Sequence, residues 1–160
     1  MRREADRGSE RGLTFIELIA TATVLAILAS AVLPLASAAM KRQREIELRR
    51  TLRDIRTAVD RYKEDVDRGL IGGMDVKLGS EGYPPTLEIL VEGVSRVGAV
   101  DKKLKYLRRI PEDPMTRKTE WDMRCYQDEP DSTSWCGQNV WDVRSKHHGK
   151  ALDGSRYDEW

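Results

Sequence analysis

The chain has 160 residues, enough for one modest domain with a small core. Its 28 basic and 27 acidic residues leave a formal net charge of +1. That argues against a nucleic-acid binder, which carries a basic excess.

The first element is a charged leader, residues 1–12. Arg2, Arg3, Arg7 and Arg11 alternate there with Glu4, Asp6 and Glu10, and the stretch has little apolar content. Such a stretch is expected to stay disordered. Lys and Arg set membrane orientation, whereas acidic residues count little. The four arginines therefore predict a cytoplasmic N-terminus and a translocated C-terminal part.

Behind the leader runs a long apolar segment. Glu17 lies just inside it, and Leu18 to Met40 carries no further charge. About 20 apolar residues span a bilayer as a helix. A carboxylate within such a span costs roughly 2.5 kcal/mol or more and calls for a partner. Pro34 removes one backbone donor and is expected to bend or loosen the helix. The small residues Ala20, Thr21, Ala22, Ala26, Ala29, Ser30 and Ala31 permit close helix–helix approach. Two simpler explanations compete: a secretory signal cut near Ala36-Ser37-Ala38, and a plain single-pass anchor. The apolar run exceeds the roughly 7–15 residues of a signal core, and neither explanation gives Glu17 a purpose. No cysteine lies near the run, which excludes a lipoprotein.

Gly12-Leu13-Thr14-Phe15-Ile16-Glu17 resembles the type III signal of type IV pilins and type II secretion pseudopilins. In that family a membrane peptidase cuts after the glycine and methylates the new N-terminus. The resemblance implies cleavage between Gly12 and Leu13, with Glu17 fifth in the mature chain. The family usually places Phe or Met after the cut, where this chain has Leu13. Pro34 also matches a family habit. Buried among apolar helices, Glu17 needs a compensating charge. The new amine of Leu13 on a neighbouring copy would supply it and set the axial register.

From Lys41 to Arg68 neither Gly nor Pro interrupts the chain. Leu48, Leu52, Ile55, Val59, Tyr62 and Val66 follow spacings of four and three, a narrow apolar stripe on one helix face. The stripe fits either a coiled-coil seam or a helix docked on a head of the same chain. The second is favoured because a head follows at once. Glu45 and Arg49 stand at i,i+4, worth a few tenths of a kcal/mol as a local pair. One helix over residues 13–68 would measure roughly 80 Å at 1.5 Å per residue.

Gly69, Gly72 and Gly73 end the helix, and Gly82-Tyr83-Pro84-Pro85-Thr86 makes a second break. Thr86 is a candidate cap for a short helix carrying Leu87, Ile89, Leu90 and Val91. Val94 to Lys105 reads as loop with a helical turn. Tyr106-Leu107-Arg108-Arg109-Ile110-Pro111-Glu112-Asp113-Pro114 resembles the linking loop of major, G-type pseudopilins. Its two prolines force extended backbone before each of them, which suits a rigid crossover rather than a catalytic site.

Trp121 to Tyr126 and Val140 to Ser145 alternate with a period of two, the mark of strands. Between them lies a polar loop, residues 128–134. Cys125 and Cys136 flank it, and in an oxidising compartment a disulfide is the natural reading over two free thiols. Zinc is not expected: the spacings of these cysteines with His147 and His148 fit no common pattern.

The tail, residues 151–160, resembles the end of G-type pseudopilins, where an acidic loop holds one calcium ion before a closing Trp. The resemblance implies Asp153, Ser155, Asp158 and Glu159 as ligands, with Asp142 able to join; hard oxygens suit Ca²⁺. The alternative is a solvated acidic end with an Asp-Gly turn.

No Gly-rich phosphate loop or Gly-x-Ser-x-Gly elbow occurs. Paired carboxylates occur mostly on a charged helix, where solvation is the usual explanation, so no enzyme is expected. The expected fold is α+β: a long N-terminal helix, half membrane and half amphipathic, packed on a small antiparallel sheet. Residues 1–12 form the leader, 13–40 the membrane and assembly helix, 41–68 its periplasmic half and 69–160 the head. The resemblance implies an inner-membrane, single-pass subunit of a type II secretion pseudopilus. It would polymerise with itself and work with the prepilin peptidase, other pseudopilins and the inner-membrane secretion machinery. The alternatives are a type IV pilin subunit and an anchored periplasmic binding domain that does not polymerise.

Overall fold

The computed structural model describes residues 12, 14–72, 79–129, 132 and 134–160. The readings of the leader and of Leu13 lie outside them. The chain divides into two compact units, Met1–Met40 and Lys41–Trp160. The fold class is α+β, with one long N-terminal helix and small antiparallel sheets.

Helix α1 is Phe15–Asp67 and passes through Pro34. In the first unit every described side chain from Phe15 to Met40 is exposed. Phe15 is 79% and Leu25 66% exposed, values far from those of a soluble core. Its hydroxyls turn back onto their own helix: Thr21 donates to the Leu18 carbonyl, Thr23 to Ile19, Ser30 to Ile27 and Ser37 to Pro34, at 2.7–3.0 Å. Back-bonding of this kind satisfies a polar group where water is absent. Among the described residues one helix, α1, is long and apolar enough to cross a membrane.

In the second unit the predicted stripe is the core. Leu48, Leu52, Ile55, Val59 and Tyr62 are at most 1% exposed. They cluster with Leu87, Leu90, Val94, Trp121, Val140, Val143 and Tyr157. The stripe therefore docks on a head of its own chain. Helix α1 ends in a Schellman motif: Leu70 N–H bonds the Asp65 carbonyl, Gly69 N–H bonds that of Val66, and Gly69 takes φ +70°.

Helix α2, Leu87–Glu92, follows the second break. Thr86 occupies its N-cap position, but its side chain makes no capping bond. A Cβ on Gly93 (φ +84°) would stand 2.8 Å from the Leu104 carbonyl oxygen, so glycine is required there.

The segment after Gly93 is a correction. It forms a β-hairpin, not a loop with a helical turn: β1, Val94–Arg96, pairs antiparallel with β2, Ala99–Leu104. Gly98, at φ +80°, makes the turn. A three-residue strand with a register irregularity after Ser95 has too little alternation to announce itself.

The two predicted strands appear in shortened form. β3, Asp122–Arg124, pairs antiparallel with β4, Asp142–Arg144, with Met123 opposite Val143. Among the described residues there are two sheets of two strands each, and two-stranded ribbons need packing partners to be stable. Val94 and Val143 supply that contact through the core.

Candidate functional site

Two regions carry the sequence-predicted functional residues, and each is described within its own unit. At the start of α1, Gly12 and Glu17 are exposed. Glu17 occupies the first helical turn. Its N–H reaches the Thr14 hydroxyl at 3.4 Å, and Leu18 N–H bonds the Thr14 carbonyl at 3.1 Å. Thr14 thus stands as N-cap with Glu17 as the third helical residue, the spacing of a capping box. The Thr-x-x-Glu pattern was present in the sequence and offers a local role for Glu17. A carboxylate there also favours the positive end of the helix dipole.

The second region is where α1 meets the C-terminal segment, and sequence reasoning missed most of it. Glu45 and Arg49 do not pair with each other along the helix. Glu45 is 9% exposed and its carboxylate accepts from Leu152 N–H at 2.9 Å and from the Tyr157 hydroxyl at 2.8 Å. Arg49 reaches Asp153 at 3.0 Å and lies over the Trp160 ring, 4.0 Å from its centroid. Arg56 binds both Asp142 oxygens, at 2.6 and 3.2 Å, and donates to main-chain oxygens of Val143 and Trp160. Residues 45, 49, 52 and 56 share one helix face. Long-range partners override an i,i+4 spacing because buried or charge-assisted bonds outweigh an exposed local pair.

Within the segment, Asp153 accepts from both the N–H and the hydroxyl of Ser155. Those bonds, with the Arg49 charge behind them, hold its carboxyl below the usual range. Asp158 takes a forked bond from Arg156 and a third contact from His148 at 2.9 Å. Arg156 foremost, then His148, keeps the Asp158 carboxyl well below the usual carboxylate range. Glu159 stands 3.7 Å from Arg156. Burial, then the bond to Glu45, raises the Tyr157 hydroxyl to about 12. Three of the four predicted calcium ligands, Asp153, Ser155 and Asp158, thus hold internal donors, while Glu159 makes only its long ion pair with Arg156.

Cys125 and Cys136 are joined as a disulfide, with Cα atoms 5.9 Å apart. Asn139, fully buried, organises the enclosed loop. Its side-chain oxygen accepts from Tyr126 N–H, its amide donates to Gln127, and its carbonyl accepts from the Trp135 indole. The linking loop is a second hydrogen-bonded centre. The Tyr106 hydroxyl donates to Asp65 at 2.7 Å, and Tyr106 and Leu107 N–H both reach the Leu90 carbonyl. Asp113 is fully buried, accepting from Met115 N–H and from the Ser145 hydroxyl. Trp121 donates to the Pro111 carbonyl at 3.0 Å. These bonds tie the crossover to α1, α2 and the end of β4.

His147 packs edge-on against Tyr157, 5.5 Å between centroids, while His148 turns to Asp158. Among the described residues, the group that could gather three metal-binding atoms is Cys125, Asp128 and Cys136. Its two sulfurs are bonded to each other. No family model, curated protein or solved structure matches this chain.

Proposed function

We propose that this chain is a structural subunit of a type II secretion pseudopilus, processed after Gly12 and assembled through its N-terminal helix. The carrying observation is the first half of α1, apolar, wholly exposed among its described side chains and bearing a single carboxylate near its start. A surface of that kind is stable in lipid or against copies of itself, and not in water. In this reading the subunit waits in the inner membrane with its head in the periplasm. The prepilin peptidase frees the Leu13 amine, and Glu17 pairs with that amine on a neighbour. Subunits then stack, together with other pseudopilins, under the inner-membrane secretion machinery. Work is done by assembly and not by catalysis.

A type IV pilin subunit is the second reading, favoured by the disulfide-closed loop near the C-terminus. The linking-loop motif and the Asp-Gly…Trp tail favour the pseudopilin.

The deciding experiment is the N-terminal residue of the mature chain, by mass spectrometry of the membrane fraction. Methylated Leu13 is expected. A chain beginning at Ala39 would make this a secreted soluble domain, and an intact Met1 a plain anchor; either overturns the proposal.

A further inference from the structure

We infer that the C-terminal segment, residues 149–160, is closed by the chain's own guanidinium groups and works without a divalent cation. Calcium takes six to eight oxygens at about 2.3–2.6 Å. Apart from Glu159, which stands 3.7 Å from Arg156, the hard side-chain oxygens of this segment already hold donors. Both Asp158 oxygens hold the Arg156 fork, at 2.9 and 2.5 Å, and one also holds His148. Asp153 divides its oxygens between Ser155 and Arg49. The Ser155 hydroxyl donates to Asp153 and accepts from the Trp160 indole at 2.7 Å. Asp142 holds the Arg56 fork and Val143 N–H. An entering ion would have to displace Arg49 from Asp153 and Arg156 from Asp158, and Arg56 as well to recruit Asp142.

The arginines also do what such an ion would do. They tie the segment to the helix beside it. Arg49 fixes Asp153 and covers Trp160, and Arg56 joins Asp142 to a main-chain oxygen of Trp160. Arg156 closes the segment on itself. A guanidinium is permanently charged and matches a carboxylate with two parallel bonds. This clasp is therefore complete as soon as the chain folds. In the proposed filament, a subunit would close its tail without waiting for calcium; that last step rests on the pseudopilin reading, whereas the clasp does not.

The test is thermal unfolding of the full chain in detergent micelles, followed by circular dichroism, in excess EGTA and in millimolar CaCl₂. The two midpoints should agree to within about 1 °C, on a scale where 1 kcal/mol moves Tm by roughly 2–8 °C. Calorimetric titration with CaCl₂ should give no saturable heat. Arg56→Gln and Arg156→Gln should each lower the midpoint in EGTA, the first by about 4 °C or more and the second by less. A saturable calcium isotherm lost in Asp153→Asn, or a calcium-raised midpoint in the wild type, would overturn the inference. So would wild-type stability of both arginine variants in EGTA. If a variant fails to fold, the wild-type titration still decides. None of these readouts depends on polymerisation, so failure of the filament reading would show only in the N-terminal mass.

Discussion

The two halves of α1 differ in where their apolar surface goes. From Phe15 to Met40 the described side chains are exposed, and hydroxyls fold back onto their own helix. From Leu48 to Tyr62 the apolar stripe is buried in a core of its own chain, and polar neighbours reach across to the tail. One half is finished by intramolecular contacts. The other is left for an environment the chain does not supply. Substitutions in the two halves should therefore fail in different assays.

The largest contrast is expected at Glu17. Glu17→Val should abolish filament yield, scored by shearing and electron microscopy, while the thermal midpoint of the head stays put. Normal filaments from this variant would break the proposed pairing with the Leu13 amine. Leu52→Ala should do the reverse, costing about 2–5 kcal/mol of head stability through a cavity, read by denaturant unfolding in micelles. Leu25→Ala, the same deletion at an exposed site, should change that stability by less than about 0.5 kcal/mol. Equal losses at both positions would erase the distinction between the halves.

Smaller effects sharpen the account of the head. Asp113→Ala strands the Ser145 hydroxyl and Met115 N–H in a buried place, at a cost of about 2–3 kcal/mol. Reducing the Cys125–Cys136 bridge should remove roughly 2–3 kcal/mol, since it closes a loop of 11-residue separation. Its effect should be confined to the head.

The smallest effect concerns alkaline pH. Burial, then the bond to Asp65, raises the Tyr106 hydroxyl above its ordinary value of 10.0. The folded state therefore keeps a proton that the unfolded chain gives up near pH 10. Stability from this group is full below that pH and is lost as pH rises through the folded value. Tyr106→Phe should cost about 1 kcal/mol at neutral pH and flatten the decline above pH 10. An unchanged alkaline slope would mean that Tyr106 does not report on the contact.

Much of the fold is legible in the residues because it rests on local pattern. The unbroken apolar run and the spacing of Leu48, Leu52, Ile55, Val59 and Tyr62 announce α1 and its buried face. Period-two alternation marks the cores of β3 and β4. The hairpin of β1 and β2 escaped because the three-residue β1, with its register irregularity, gives almost no periodic signal. The capping spacing of Thr14 and Glu17 was readable but overshadowed by the meaning of a carboxylate in an apolar segment.

Partner choice was not legible. Glu45 and Arg49 look like a helix pair, and Asp153, Ser155, Asp158 and Glu159 look like a cluster of free oxygens. Only the tertiary structure shows that Glu45 is taken by Tyr157, Arg49 by Asp153 and Asp158 by Arg156. Sequence settles periodicity and local composition, because those depend on neighbours along the chain. It leaves open which charge meets which, because residues about 100 positions apart compete with nearby ones, and only the folded chain decides which of them come within reach.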